Sequence, residues 1–173
     1  MIKAIETVYN GYKFRSRLEA RWAVFFDTLG IKYLYEYEGY NLDGLYYLPD
    51  FWLHEEGCFI EVKPSRLTKQ EVCKAEQLVI KSQNPCFVLS GSVGLGEYTI
   101  AACMPSFGWH IYDEFATCTV CNGLWLASPQ TNCFSHTYDC SHLEESHPVL
   151  NHPRLIKAYT AARQARFEHG EKG

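Results

Sequence analysis

Three charged residues stand where burial is otherwise expected. Asp50, Glu61 and Lys63 fall within "YLPDFWLHEEGCFIEVKP", residues 47–64, which is two apolar segments joined by a polar turn. On a strand, alternate side chains share a face, so Glu61 and Lys63 point one way while Ile60 and Val62 point the other. If Asp50 lies on the adjacent antiparallel strand, its carboxylate comes near that of Glu61. Two carboxylates held together repel, and one keeps its proton more tightly unless a cation occupies the gap. Hard oxygen ligands suit Mg²⁺ (or Mn²⁺); Mg²⁺ retains several waters and binds through one or two carboxylates. Such an ion can bind a phosphate oxygen, acidify a bound water and offset developing charge. Lys63 on the same face would orient the attacking water or stabilise the pentavalent phosphorane. The competing reading is a surface Glu61–Lys63 ion pair beside a Pro-Asp turn.

A second set of chemistry-bearing residues is Cys118, Cys121, Cys133 and Cys140, crowded into a turn-rich stretch. "CTVCNG", residues 118–123, is a Cys-x2-Cys knuckle, whose spacing lets two thiolates grip one ion from a tight turn. Gly123 is expected to supply the positive φ of that turn. The second pair comes from Cys133, His136, Cys140 or His142. Cys133 and Cys140 are favoured because four thiolates suit a structural Zn²⁺, with Cys133-x2-His136 as the rival. Four reduced cysteines in an irregular loop are the alternative. Cys58, Cys73, Cys86 and Cys103 are scattered through apolar segments and are expected to pack as small hydrophobes.

Elements must position these groups. "RSRLEARWAVFFDTLG", residues 15–30, reads as an amphipathic helix with Leu18, Trp22, Phe25, Phe26 and Leu29 on one stripe and Gly30 as its stop. Glu19 lies beside that stripe, where a third carboxylate can reach the rim of a sheet. Its rival role is an i,i+4 pair with Arg15. "IKYLYEYEGYNL", "LYYLPDFWL" and "CFIEVKP" read as strands, the last two joined by a turn at "HEEG". A second helix is expected from about Thr68 to Ser82, with Thr68 and Glu71 forming a capping box. "PCFVLSG", "YTIAAC" and "WHIYDEF" read as further strands. Residues 117–147 show little periodicity, and residues 152–170 are helical again. There Leu155, Ile156, Tyr159, Ala162 and Phe167 can dock, with Arg154, Lys157, Arg163 and Arg166 outside. This order implies an α/β (α+β) fold with a central mixed sheet flanked by helices. The division it suggests is a core over 1–115, a Cys-rich zinc module over 116–147 and a basic amphipathic helix over 148–173.

Composition narrows the classes. The chain has 173 residues, 47% of them hydrophobic and 15% aromatic, enough for a real core rather than global disorder. A net charge of −4 excludes a general basic coat, so a polyanion would have to be met by local clusters of Lys and Arg. The first residues contain no apolar run resembling a signal sequence, and no stretch is long enough to span a membrane. The reading is a soluble, cytoplasmic protein without a membrane partner.

Pro49-Asp50 followed by Glu61-x-Lys63, with Glu19 on a preceding helix, resembles the PD-(D/E)XK nuclease superfamily. The string "FRSRLEARWAVFFDTLGIKYLYEYEGYNLDGLYYLPDFWL...IEVKP" and the tail "AARQARFEHGE" are also similar to nuclease-like proteins of phages and bacterial mobile elements. The resemblance covers residues 11–90 and, more loosely, the last twenty or so. It implies a restriction-endonuclease-like core and an endonuclease that hydrolyses phosphodiester bonds in DNA with Mg²⁺, in a bacterial or phage-infected cell. Asp50 and Glu61 would be the metal ligands, Lys63 the catalytic lysine and Glu19 the accessory acid. Members often use a residue in the helix after the motif, for which Lys74 and Gln77 are candidates. Arg15, Arg17, Arg163 and Arg166 are candidate DNA contacts, although a solvated helix face is an equal reading of the last two. The alternative is a catalytically silent module of the same fold that binds DNA or a protein. A homodimer, or a protein partner at the zinc module, is compatible with either.

Overall fold

The computed structural model describes residues 4–119, 122–128, 133–136 and 149–167. Among the described residues it is an α+β fold built on a six-stranded mixed sheet with three helices, the last of them C-terminal. Strands β1 (Thr7–Tyr9) and β2 (Tyr12–Phe14) form a hairpin about Asn10-Gly11, both at positive φ (46° and 80°). Asn-Gly is the pair that such a two-residue turn favours.

Helix α1 (Arg17–Leu29) follows, capped by Ser16, whose Oγ accepts the Glu19 N–H. Gly30 closes it in the left-handed region. Strand β3 (Tyr33–Tyr35) ends at Glu36, whose φ of 49° breaks the long strand expected over this segment. A separate hairpin, β4 (Tyr40–Leu42) and β5 (Leu45–Tyr47), turns about Asp43-Gly44. The chain breaks again at Leu48–Asp50, so "LYYLPDFWL" yields two strands rather than one. Pro49 has no N–H to give a ladder. Strands β6 (Phe51–Leu53) and β7 (Cys58–Lys63) are antiparallel across the expected turn at 54–57.

Helix α2 (Lys69–Ser82) starts with the Thr68–Glu71 capping box and crosses over to β8 (Cys86–Gly91), which runs parallel to β7. Strands β9 (Tyr98–Met104) and β10 (Gly108–Tyr112) complete the sheet in the order β10-β9-β8-β7-β6-β3.

Asp113 separates β10 from β11 (Glu114–Thr117), which leaves for a three-stranded sheet with β12 (Leu124–Ser128) and β13 (Cys133–His136). Residues 117–147, which show little periodicity in the sequence, therefore contain two strands. Helix α3 (Pro153–Gln164) closes the described chain.

Alternation along β7 sorts the core into two layers. Ile60 and Val62, with Phe51, Phe87 and Leu89, pack under α1 and α3. Phe115, Leu126, Leu155 and Tyr159 join that same cluster, so the small sheet and α3 share the core of α1. Phe59, Cys86 and Val88 pack on the opposite face against Ala75, Leu78 and Val79 of α2. Among the hydrophobic placements, two expectations fail. Cys73 is exposed, because α2 turns it away from the sheet, and Ile156 is 45% exposed on the outer side of α3. No helix among the described residues is long and apolar enough to cross a membrane.

Candidate active site

The β6–β7 ladder ends at the Phe51–Ile60 pair. One step beyond, Asp50 lies opposite Glu61, and side chains replace the ladder. The Asp50 N–H donates to Glu61 Oε1 (3.1 Å), and the Val62 N–H donates to Asp50 Oδ2 (2.8 Å). Each carboxylate is thereby held by a backbone N–H from across the pairing, although Asp50 itself lies in the bend just before β6 and not in a strand, because Pro49 interrupts the ladder. Both are buried, Asp50 at 3% and Glu61 at 2% exposure.

Two cations attend them. Lys63 Nζ donates to Glu61 Oε2 (2.8 Å), from the same face of β7. Arg15, just ahead of α1, donates from Nη2 to Asp50 Oδ1 (2.5 Å) and from Nε to Glu36 Oε1 (2.9 Å). Burial, and then the neighbouring Glu61, raise the Asp50 carboxyl well above the usual range, against the opposing pull of Lys63. Burial works against the Lys63 ammonium, but Glu61 and Asp50 outweigh it, so Lys63 is raised above the ordinary lysine value. It is a cation and proton donor here, not a base.

Glu19 is also buried, at 7% exposure, and its charge acts on Asp50. Its hydrogen bonds, however, serve the helix start. Oε2 accepts from the Arg15 N–H (3.1 Å) and the Tyr35 hydroxyl (2.5 Å), and Oε1 accepts from Ser16 Oγ (2.6 Å). An acidic residue in the first turn also suits the helix dipole.

Beside Glu61 and Lys63, a small pocket of about 80 Å³ is lined in part by Tyr47, Glu71 and Lys74. Lys74 thus shares a pocket with Glu61 from α2, with Nζ 5.9 Å from the Tyr47 ring centroid. Gln77 is not part of this lining; its amide lies 4.0 Å from Cys73 Sγ. Burial and the Glu61 charge raise the Tyr47 hydroxyl far above its ordinary value, so it stays a proton donor.

Sequence reasoning did not single out Tyr35, Glu36 or Tyr47. Tyr47 carried a usable signal, since it precedes the Pro-Asp break by two residues. Tyr35 and Glu36 are brought in by the turn at Glu36, which no local spacing announced.

Among the described residues, no group of three His, Cys, Asp or Glu side chains is arranged to hold a metal ion. The pair Asp50–Glu61 is the set that fits one by chemistry. Both are hard oxygen donors, and two carboxylates suffice where waters and a substrate phosphate complete the shell. Each carboxylate oxygen already accepts one hydrogen bond, and each has a second lone pair.

Of the sulfur set, Cys121 and Cys140 lie outside the described residues, as does His142. For Cys133 and His136 the backbone in β13 is described and the side chains are not. Cys118 is buried against Ala116 and Ala127. Its turn is drawn tight by Asn122 N–H to Cys118 O (3.0 Å) and Cys118 N–H to Gly123 O (2.9 Å). The positive φ falls on Asn122 (60°) rather than on Gly123, because Asn tolerates that region nearly as well.

The remaining basic candidates separate. Arg154 donates to the carbonyls of Asn122 (2.6 Å) and Leu29, fastening α3 to the end of α1. Arg163 pairs with Glu97 (2.6 Å). Arg17 lines a cleft with Arg163 and Arg166. No family model matches the chain, and no curated protein or solved structure matches it.

Proposed function

We propose that this chain is a Mg²⁺- or Mn²⁺-dependent endonuclease of the PD-(D/E)XK type that hydrolyses phosphodiester bonds in DNA. The observation that carries the reading is the buried Asp50–Glu61 pair, held face to face by reciprocal backbone hydrogen bonds with Lys63 on Glu61. A fold gains little stability from two adjacent buried carboxylates, so their placement calls for a cationic ligand. Asp50 and Glu61 would hold the ion, which when bound polarises a phosphoryl oxygen and acidifies a water. Lys63, kept protonated by its neighbours, donates to oxygen where negative charge develops. Arg15, whose own side chain is more than half exposed, could turn to a phosphate once a bound cation takes over its place on the buried Asp50 carboxylate. Glu19 positions Arg15 through its backbone N–H. A structural Zn²⁺ on Cys118, Cys121, Cys133 and Cys140 belongs to the same proposal, supported by the tight turn after Cys118.

One observation favours a second reading. Arg15 and Lys63 already pair with Asp50 and Glu61, as they would in a catalytically silent module that binds DNA or protein. Cleavage of linear, nicked, single-stranded and four-way-junction DNA, with Mg²⁺ or Mn²⁺ against EDTA, separates the two. The proposal expects divalent-dependent products that vanish in Asp50→Asn and Lys63→Met. No products on any substrate, with folded protein, selects the silent module.

A further inference from the structure

On the flank of α1 turned away from Glu19, four arginines gather. Arg17 and Arg21 stand one helical turn apart on the same side. Arg163 comes from the last turn of α3, and Arg166 from the segment that follows. Together with Gln164, Ala165 and Phe167 they line a cleft of about 560 Å³, and no acidic side chain is among the described lining. Arg163 also pairs with Glu97, which is not part of that lining, in an exposed ion pair that is weak. Arg21 Nε is buried and meets no hydrogen-bond partner among the described residues. Such a donor is costly to leave unmatched. All of this occurs in a chain whose net charge is −4.

We infer that this cleft binds backbone phosphates of a nucleic-acid strand, independently of any metal ion. Planar, forked guanidinium groups match phosphate oxygens two at a time. Arg17 lies two residues after the Arg15 that touches Asp50, but on the opposite flank of α1, so the cleft is a phosphate site separate from the carboxylates. From Arg17 to Arg21 is about 6 Å along the helix, against about 3.4 Å of axial rise per nucleotide of one strand. The choice of nucleic acid rests on the function proposed above; the phosphate chemistry rests on the cleft alone.

The test uses the full 173-residue chain in EDTA and follows fluorescence anisotropy of short DNA oligonucleotides, with and without a 5′-phosphate, between 50 and 200 mM salt (roughly the range where phosphate contacts report). Arg166→Gln, at an exposed position that folding does not need, should flatten the log–log salt slope by about one. Arg21→Gln with Arg166→Gln should flatten it by about two and weaken binding at least about tenfold, while Lys at both positions keeps most of the slope. Equal loss with and without the 5′-phosphate places internal phosphates in the cleft; loss confined to the phosphorylated strand places the terminal one there, and either supports the inference. An unchanged slope in the double Gln variant overturns it. So does a cleft that inorganic phosphate occupies, by chemical shifts of the arginine side chains, while DNA binding ignores Arg21 and Arg166. Arginine-dependent binding without cleavage would remove the nuclease reading and leave the cleft; cleavage with an unchanged slope would do the reverse.

Discussion

Lys63→Met should destabilise the fold chiefly through Glu61. The Lys63 ammonium sits 2.8 Å from Glu61 Oε2, and the Glu61 side chain is 3% exposed against 24% for Lys63. Removing the ammonium strands a buried carboxylate next to a second one, Asp50. Losing one partner of a buried pair costs about 3–5 kcal/mol. Lys63 keeps about a quarter of its surface in water, so the lower end applies, about 3 kcal/mol. With a urea m value of about 1–3 kcal/mol/M, the midpoint should fall by about 1–3 M. Glu61→Gln in the same background removes the stranded charge and keeps an oxygen for the Asp50 N–H. The double variant should therefore recover most of the loss, a coupling of about 2–3 kcal/mol. Urea unfolding at pH 7 in EDTA, followed by circular dichroism and tryptophan fluorescence together, reads this directly. Strictly additive effects, or a Lys63→Met variant as stable as wild type, would refute the ion-pair reasoning.

Other expectations follow from the same geometry. The Asp50 carboxyl holds its proton to higher pH in the folded chain than in the unfolded one. Its contribution is thus complete below the unfolded value near 3.9 and is lost as pH rises through the raised folded value. Asp50→Asn should gain on wild type as pH rises from about 4 to 7 in EDTA; parallel stability profiles would count against it. Tyr98 accepts the Phe115 N–H (2.9 Å) and pairs with the Tyr159 hydroxyl (2.6 Å), all buried. Tyr98→Phe leaves two polar groups unmatched and should cost about 2–4 kcal/mol in chemical denaturation, whereas a loss under 1 kcal/mol (about one neutral hydrogen bond) would mean they find new partners. Elemental analysis should find about one zinc per chain, reduced in Cys118→Ser; metal-free protein with residues 117–147 ordered, or a disulfide among the four cysteines, would exclude the zinc assignment.

The helices were legible because their ends carry specific chemistry. Thr68 and Glu71 marked α2, and Gly30 marked the end of α1. The same Ser-x-x-Glu spacing at Ser16 and Glu19 marks the start of α1, where Glu19 serves the helix cap as well as lying near Asp50. The opposition of Asp50 and Glu61 could be anticipated from period-two alternation and a four-residue turn. Arg15 on Asp50 could not, since it depends on residues 35 positions apart and on the break at Glu36. Strand lengths were overread wherever a residue at positive φ, or Pro49, interrupts an aromatic run; alternation does not register such breaks. The Asn10-Gly11 turn signal was present and unused. Strands β12 and β13 lie in a stretch whose polar composition hid them.

The fastening of α3 to α1 by Arg154 spans 125 positions, whereas the Asp50–Glu61 clasp spans 11. Short loops close early, and hairpins form in about 1–10 μs. During synthesis, at about 5–20 residues per second, all of the carboxylate hairpin is made seconds before α3 leaves the ribosome. Until then the C-terminal end of α1 lacks its clamp, and the helix that presents Arg15 and Glu19 is held only by its own cap and the sheet beneath it. The order of manufacture thus builds the acidic clasp first and secures the element beside it last, deferring the finished arrangement until the final helix has docked.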